Sequence, residues 1–183
     1  MATPIGHALG GIVVYATGEK SQFDIKLFLA TLFFAVIPDI DFLFGFVVGK
    51  PNLYHHGFTH SFVFVICIGV AGAWLLSLKN RKMFRFYTIM FISSGVSHLI
   101  FDLLTIDGTA PLGAPVLWPF TNDYFIFPFL VFLDVHRADN SAQFIQSMLN
   151  MHNLRTVMQE IFIITPVILF ILWFKKRYQA GEK

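Results

Sequence analysis

Charge is what this sequence has least of. Asp, Glu, Lys and Arg make up 13% of its 183 residues, against roughly 25% in an ordinary soluble domain, which excludes a water-soluble globule. Cysteine is nearly absent: Cys67 stands alone, so an intramolecular disulfide and a thiolate metal site are both excluded. The net charge is +2, with the basic residues in short flanking clusters, so there is no extended basic face and no nucleic-acid partner is expected. The opening Met-Ala-Thr-Pro lacks a basic segment and a small-residue cleavage pattern, and no secretory signal is expected. What the sequence has in quantity is apolar bulk. The hydrophobic set accounts for 56% of residues, aromatics for 17%, and 23 residues are Phe, in long uncharged runs that suit lipid as solvent.

The expected fold class is therefore all-α, a polytopic membrane helical bundle of about five spans plus an interfacial helix. Residues 27–48, 61–78 and 86–106 are each apolar and long enough for a hydrocarbon core of about 30 Å. Residues 5–16, with Gly6, Gly10 and Gly11, and residues 161–174, with Pro166, read as thinner spans. Lysine and arginine are retained in the cytoplasm. Lys20 and Lys26, then Lys79, Arg81, Lys82 and Arg85, then Lys175, Lys176 and Arg177 place the same ends of these spans there, the C-terminus included. The turn 49–60 and the stretch 107–160 then face outward, with Lys50, Arg137 and Arg155 voting against. Residues 107–122 read as an ordered loop with Trp118 at the interface, and 124–133, interrupted by Pro128, as a re-entrant segment. Asp139, Asn140 or Ser141 is expected to cap a surface helix with Phe144, Ile145, Met148 and Leu149 on one face.

Ionisable residues inside spans cost about 2.5–3.5 kcal/mol on insertion scales, so each needs a reason. Here they gather in the outer halves: His7 in the first thin span, Asp39 and Asp41 late in 27–48, His55, His56 and His60 at the start of 61–78, and His98 and Asp102 late in 86–106. Residues four apart share a helix face, which pairs His98 with Asp102, and His56 with His60 if the helix begins before Ser61. Imidazole and carboxylate donors suit zinc, and also iron or manganese. Asp39 and Asp41 would diverge on a regular helix, but Pro38 breaks it, so that one can reach a metal while the other orients a ligand histidine. The expected metal ligands are His7, Asp39, Asp41, His56, His60, His98 and Asp102, holding one or two divalent ions, with zinc first. Thr59, Ser61 and Ser97 are candidate hydrogen-bond donors to ligands or substrate. His136 and His152 sit in polar sequence and are expected at the surface.

The motifs Pro38-Asp39-Ile40-Asp41, His56-x-x-Thr59-His60-Ser61, Ser97-His98-x-x-x-Asp102 and Trp118-Pro119-Phe120 resemble those of the LexA-regulated, membrane-bound, predicted metal-dependent hydrolases, the YdjM-like family. The resemblance runs from about Thr3 to Phe120 and implies a hydrolase of the SOS response in the bacterial inner membrane. The order His7, Asp39, His56 or His60, His98, Asp102 is also similar to the ligand order of zinc-dependent phospholipase C and P1-type nucleases. That likeness implies that Asp39 or Asp41 bridges two metals, that His98, Asp102 and one of His56 and His60 hold the first, and that His7 helps to hold the second. The His and HxxxE that complete a third zinc site there are missing here, since His152 is followed four residues later by Thr156. The expected organisation is a single membrane-embedded domain, 1–183, with a metal-ligand core in 3–120 and an interfacial segment plus last span in 121–183. The expected function is hydrolysis of a phosphoester or ester of a lipid-type substrate at the outer face, with water as nucleophile and Asp39 or Asp41 as general base. A metal-ion or proton-coupled transporter and a purely structural metal site are the alternatives.

Overall fold

The computed structural model describes residues 1–18, 23–108 and 112–181, with side chains to Tyr178. Lys20 lies outside the described residues. Helix α1 (Pro4–Thr17) starts with a proline, whose missing N–H is no loss in the first turn, and Thr3 caps it by accepting from the Gly6 amide. Asp24 caps α2 (Ile25–Val36) through the Lys26 and Leu27 amides. At Pro38 the chain tightens into a 3-10 turn, Ile37–Ile40, and resumes as α3 (Asp41–Val47). Two further 3-10 turns, Pro51–Tyr54 and Phe58–His60, lead to α4 (Phe62–Leu76), capped by Ser61 accepting from the Phe64 amide. Helix α5 (Phe84–Leu103) follows. An irregular stretch then leads to α6 (Phe144–Met148) and α7 (Met151–Gly181), and the bridges Thr105–Phe132 and Ala114–Phe125 tie it together.

Helix α5 packs against α4, α2 and α1, and α1 packs in turn against α2 and α7. Lipid provides no hydrophobic drive between helices, so close approach has to supply the attraction. Small residues mark the seams. A Cβ on Gly11 would lie 2.9 Å from the Thr31 carbonyl oxygen, and one on Gly95 would lie 2.5 Å from Val65. The core between α2, α4 and α5 holds Leu27, Phe34, Ala73, Met90 and Phe91, with the Phe34 and Phe91 rings stacked at 4.3 Å. Thr3 of α1's cap donates to Glu160 of α7, and Lys175 of α7 donates to the Gly18 carbonyl just past α1. Helices α1 and α7 therefore run parallel.

Among the described residues, three segments are long and apolar enough to cross a membrane: Ile25–Val47, Arg81–Leu103 and Met151–Tyr178. The expectation of about five spans is thereby revised to three long ones and two short apolar helices. Helices α1 and α4 have 14 and 15 residues; at 1.5 Å per residue they reach about 21–22 Å, less than the core of about 30 Å. The thin span expected at 161–174 is part of a helix of 31 residues that runs through Pro166. The expected surface helix is only five residues long. Asn140 does accept from the Gln143 amide, but Phe144 is buried against Phe42 and Phe46 while Ile145 and Leu149 are exposed, so these residues do not share one face. Residues 124–133 hold no helix, and their backbone is satisfied instead by α5's end and the 114 region: Phe127 and Val131 donate to the Leu103 and Leu104 carbonyls, and Phe125 pairs with Ala114.

Candidate metal centre

The end of the bundle formed by the start of α1, the close of α2, the entry to α4 and the close of α5 gathers His7, Asp39, Asp41, His60, His98 and Asp102. All but Asp39 are buried to 2% exposure or less. His98 and Asp102 are one helical turn apart on α5, and His98 Nε2 lies 3.1 Å from Asp102 Oδ2. His60 comes from the 3-10 turn before α4, its Nε2 3.2 Å from His98 Nε2 and 3.5 Å from Asp102 Oδ2. Asp39 enters from the Pro38 turn, with Oδ1 at 3.6 Å from His60 Nε2 and 3.7 Å from His98 Nε2. Four donor atoms bound to one zinc at 2.0–2.1 Å in a tetrahedron would stand about 3.3–3.4 Å apart. The five separations above, 3.1–3.7 Å, bracket that value, and His60, His98 and Asp102 form a buried group that could hold an ion.

The outer atoms of both imidazoles decide what the inner ones can do. His98 Nδ1 is 2.8 Å from the Ala35 carbonyl oxygen, which can only accept, so Nδ1 carries the hydrogen. His60 Nδ1 is 3.1 Å from Asp41 Oδ2 and is fixed in the same way. If both rings were neutral in these tautomers, their Nε2 lone pairs would oppose each other at 3.2 Å, an arrangement that a cation or a proton between them relieves. The carboxylates carry the same signature, because both Asp39 oxygens and Asp102 Oδ2 are buried without a hydrogen-bond partner. Without a cation a proton takes part of its place. Burial disfavours a charged His60, but the nearby carboxylates of Asp39 and Asp41 outweigh that and raise its pKa to about 10. Burial holds His55 and His56 well below the ordinary imidazole value, which keeps them neutral.

The remaining candidates flank this group. Both Asp41 oxygens have partners: Oδ1 lies 3.2 Å from His55 Nδ1, and Oδ2 receives the Thr59 hydroxyl at 3.1 Å as well as His60; with Asp39 and His55, Asp41 also forms a group that could hold an ion. His7 stacks on His98 at 3.6 Å with Nε2 3.4 Å from Asp102 Oδ1, and neither of its ring nitrogens has a hydrogen-bond partner. His56 Nε2 is 4.0 Å from Asp102 Oδ2 and is likewise orphaned. A helix including Gly57 does not form. His56 adopts a left-handed backbone (φ 58°), and that turn, with the Phe58–His60 turn after it, brings His56 and His60 together. Of the expected hydroxyl donors, Thr59 reaches Asp41, while Ser61 and Ser97 donate to the Phe58 and Ser94 carbonyls.

A polar cavity of about 600 Å³ leads outward from this end, walled by His55, His56, Asp107, Asp134 and Arg137. His136 and His152, expected as unremarkable surface residues, stack at 3.7 Å, and both reach Asp134, at 3.4 and 3.0 Å. Sequence reasoning missed Glu160, which is buried in α7 and accepts from the Thr3 amide at 2.7 Å and from the Thr3 hydroxyl. It also left His55 out of the ligand set and counted Arg137 only as a basic residue against the orientation. A carboxylate directly ahead of the 14-residue apolar stretch 161–174 is a signal that could have been read as part of a longer helix, because a buried helix can carry a paired acid.

Comparison with known proteins agrees with the membrane character. A relative 29% identical over 138 residues, covering 72% of this chain and 75% of its own length, is the inner membrane protein YbcI of Escherichia coli (strain K12). No solved structure gives a significant match. The model of one family matches residues 1–178, nearly the whole sequence, and the chain belongs to that family, the YdjM inner membrane proteins.

Proposed function

We propose that this protein is a metal-dependent hydrolase of the inner membrane, cleaving a phosphoester or ester of a lipid-type substrate at the extracytoplasmic face. The observation that carries the reading is the pair of His60 and His98 Nε2 atoms, 3.2 Å apart with both Nδ1 atoms committed to acceptors, beside buried carboxylate oxygens that have no partner. His60, His98, Asp39 and Asp102 would hold the metal, zinc being the best fit to two imidazoles and two carboxylates. A bound zinc would supply Lewis acidity and bring the pKa of water from 15.7 towards about 7. Asp41 positions His60 and fixes its tautomer. Asp39 Oδ2, which has no hydrogen-bond partner, is placed to take the proton of the attacking water. His7 and His56, on either side of Asp102, provide nitrogen donors for a second ion, with Asp102 shared between the two.

The orientation follows from charge. Lys79, Arg81, Lys82 and Arg85 join α4 to α5, and Lys175 meets Gly18, so these clustered basic residues lie at the end of the bundle away from the His/Asp group. The cytoplasm would then face that end and the C-terminus, and substrate would enter the cavity from outside. The test is metal per chain by elemental analysis of detergent-purified protein, with His98→Ala and Asp102→Ala alongside. One or two equivalents in the wild type, lost in both variants, is the expected result. Absence of metal from all three after reconstitution with zinc would remove the hydrolase mechanism.

A further inference from the structure

We propose that Arg137 forms an oxyanion subsite in the cavity next to the metal centre, and that its ligand is the phosphoryl group of a phosphate ester. The inference rests on the hydrolase reading and names its substrate class. Arg137 Nε donates to Asn52 Oδ1 at 2.7 Å, and the Asn52 amide group is held in turn by the Ala138 carbonyl and by Asp139. The guanidinium carbon stands 5.1 Å from the centre of the Phe42 ring, and that ring stacks on His55 at 4.2 Å. One N–H bond and one aromatic face thus fix the plane of the guanidinium. Beyond the Nε bond to Asn52, no carboxylate among the described residues lies within ion-pair distance of Arg137. Arg137 lines the same cavity as His55, His56 and Asp107.

A fixed guanidinium fork matches two oxygens of a phosphoryl group, and it attracts that group over the distance at which buried carboxylates would repel it. This separates the two bond types that the metal centre alone leaves open. A carboxylic ester or an amide is uncharged and gives the guanidinium no anionic partner in the ground state. A phosphate ester brings negative oxygens, which Arg137 and a metal ion can hold from different sides. The source of the phosphoryl group is either a lipid or a soluble ester, and the fold marks a place where the two differ. A second cavity of about 660 Å³, almost wholly apolar and lined by Ile5, Met148, Leu149, Leu154 and Val157, shares Val135 with the first. An alkyl chain on the phosphate would lie there.

The test uses purified full-length protein reloaded with zinc, and compares binding of inorganic phosphate and of hexyl phosphate to wild type, Arg137→Ala and Arg137→Lys, with zinc per chain measured for each. Charge-assisted hydrogen bonds of this kind predict that both probes bind at least about tenfold more weakly to Arg137→Ala at unchanged zinc content. Arg137→Lys restores only part of the loss, because a point charge does not replace the fork. Tighter binding of hexyl phosphate than of inorganic phosphate supports the subsite with a lipid source, and equal binding supports it with a soluble ester. Phosphate affinity unchanged in Arg137→Ala overturns the inference. So does loss of zinc from that variant, which would make Arg137 a counter-charge to the buried carboxylates. A wild type that holds no zinc fails earlier, taking the hydrolase reading with it.

Discussion

At the scale of single residues, the centre depends on which ring nitrogen carries hydrogen. Asp41 accepts from Thr59 and lies against His60, and its hold on His60 Nδ1 makes Nε2 available. Asp41→Ala is expected to lower metal affinity about 10–100-fold while leaving stoichiometry intact at saturating zinc; a competition titration against a chelator measures it, and unchanged affinity would show that Asp41 does not position His60. The same contacts give a pH dependence. His60 is protonated below its pKa of about 10 in the metal-free protein, and a ligand imidazole has to be neutral, so binding expels a proton. Apparent affinity is expected to fall roughly tenfold per pH unit on acidification through the neutral range, and a flat profile would mean that no proton is displaced. The pair His98 and Asp102 was legible in the sequence because helical spacing alone puts them on one face. The grouping of His55, His56 and His60 was not, because it depends on a left-handed residue and a 3-10 turn, which spacing rules do not describe.

At the scale of elements, the turns between helices set the ligand geometry, and they are packed too tightly to yield. A Cβ on Gly45 of α3 would lie 2.3 Å from the Pro51 carbonyl oxygen and 2.6 Å from that of Lys50, and these are backbone atoms that cannot swing aside. Gly45→Ala is therefore expected to destabilise the fold by roughly 1–3 kcal/mol and to push the Pro51–Tyr54 turn, and His55 after it, away from Asp41. Thermal unfolding in detergent with metal content measured in parallel checks this, and a melting temperature equal to that of wild type would count against it. The long apolar helices could be read directly from composition, as could the break at Pro38. Segment ends were less legible. Ser61 was taken into a span but serves as the cap of α4, and α7 starts ten residues before the apolar run that announced it, since its first turns are held by polar contacts: Asn153 with His136, Thr156 with Asp134 and Glu160 with Thr3.

At the scale of the whole molecule, polar chemistry occupies one end of the bundle and the lysine and arginine clusters the other. With Cys67 replaced by Ser, Asn140→Cys is expected to react with a membrane-impermeant maleimide in intact spheroplasts, and Lys82→Cys only after permeabilisation. The opposite pattern would place the centre in the cytoplasm and change the pool of substrates it meets. The parallel pairing of α1 with α7 has a consequence for biogenesis. Thr3 and Glu160 are 157 positions apart in sequence, so the first helix enters the bilayer long before its neighbour has been translated. Until α7 inserts, His7 sits on a short helix with one flank open to lipid. The contacts that confine it are of the long-range kind that form late in folding. A ribosome stalled before α7 would thus leave a nascent chain with most of its ligand residues already in the membrane and the helix that carries His7 not yet anchored.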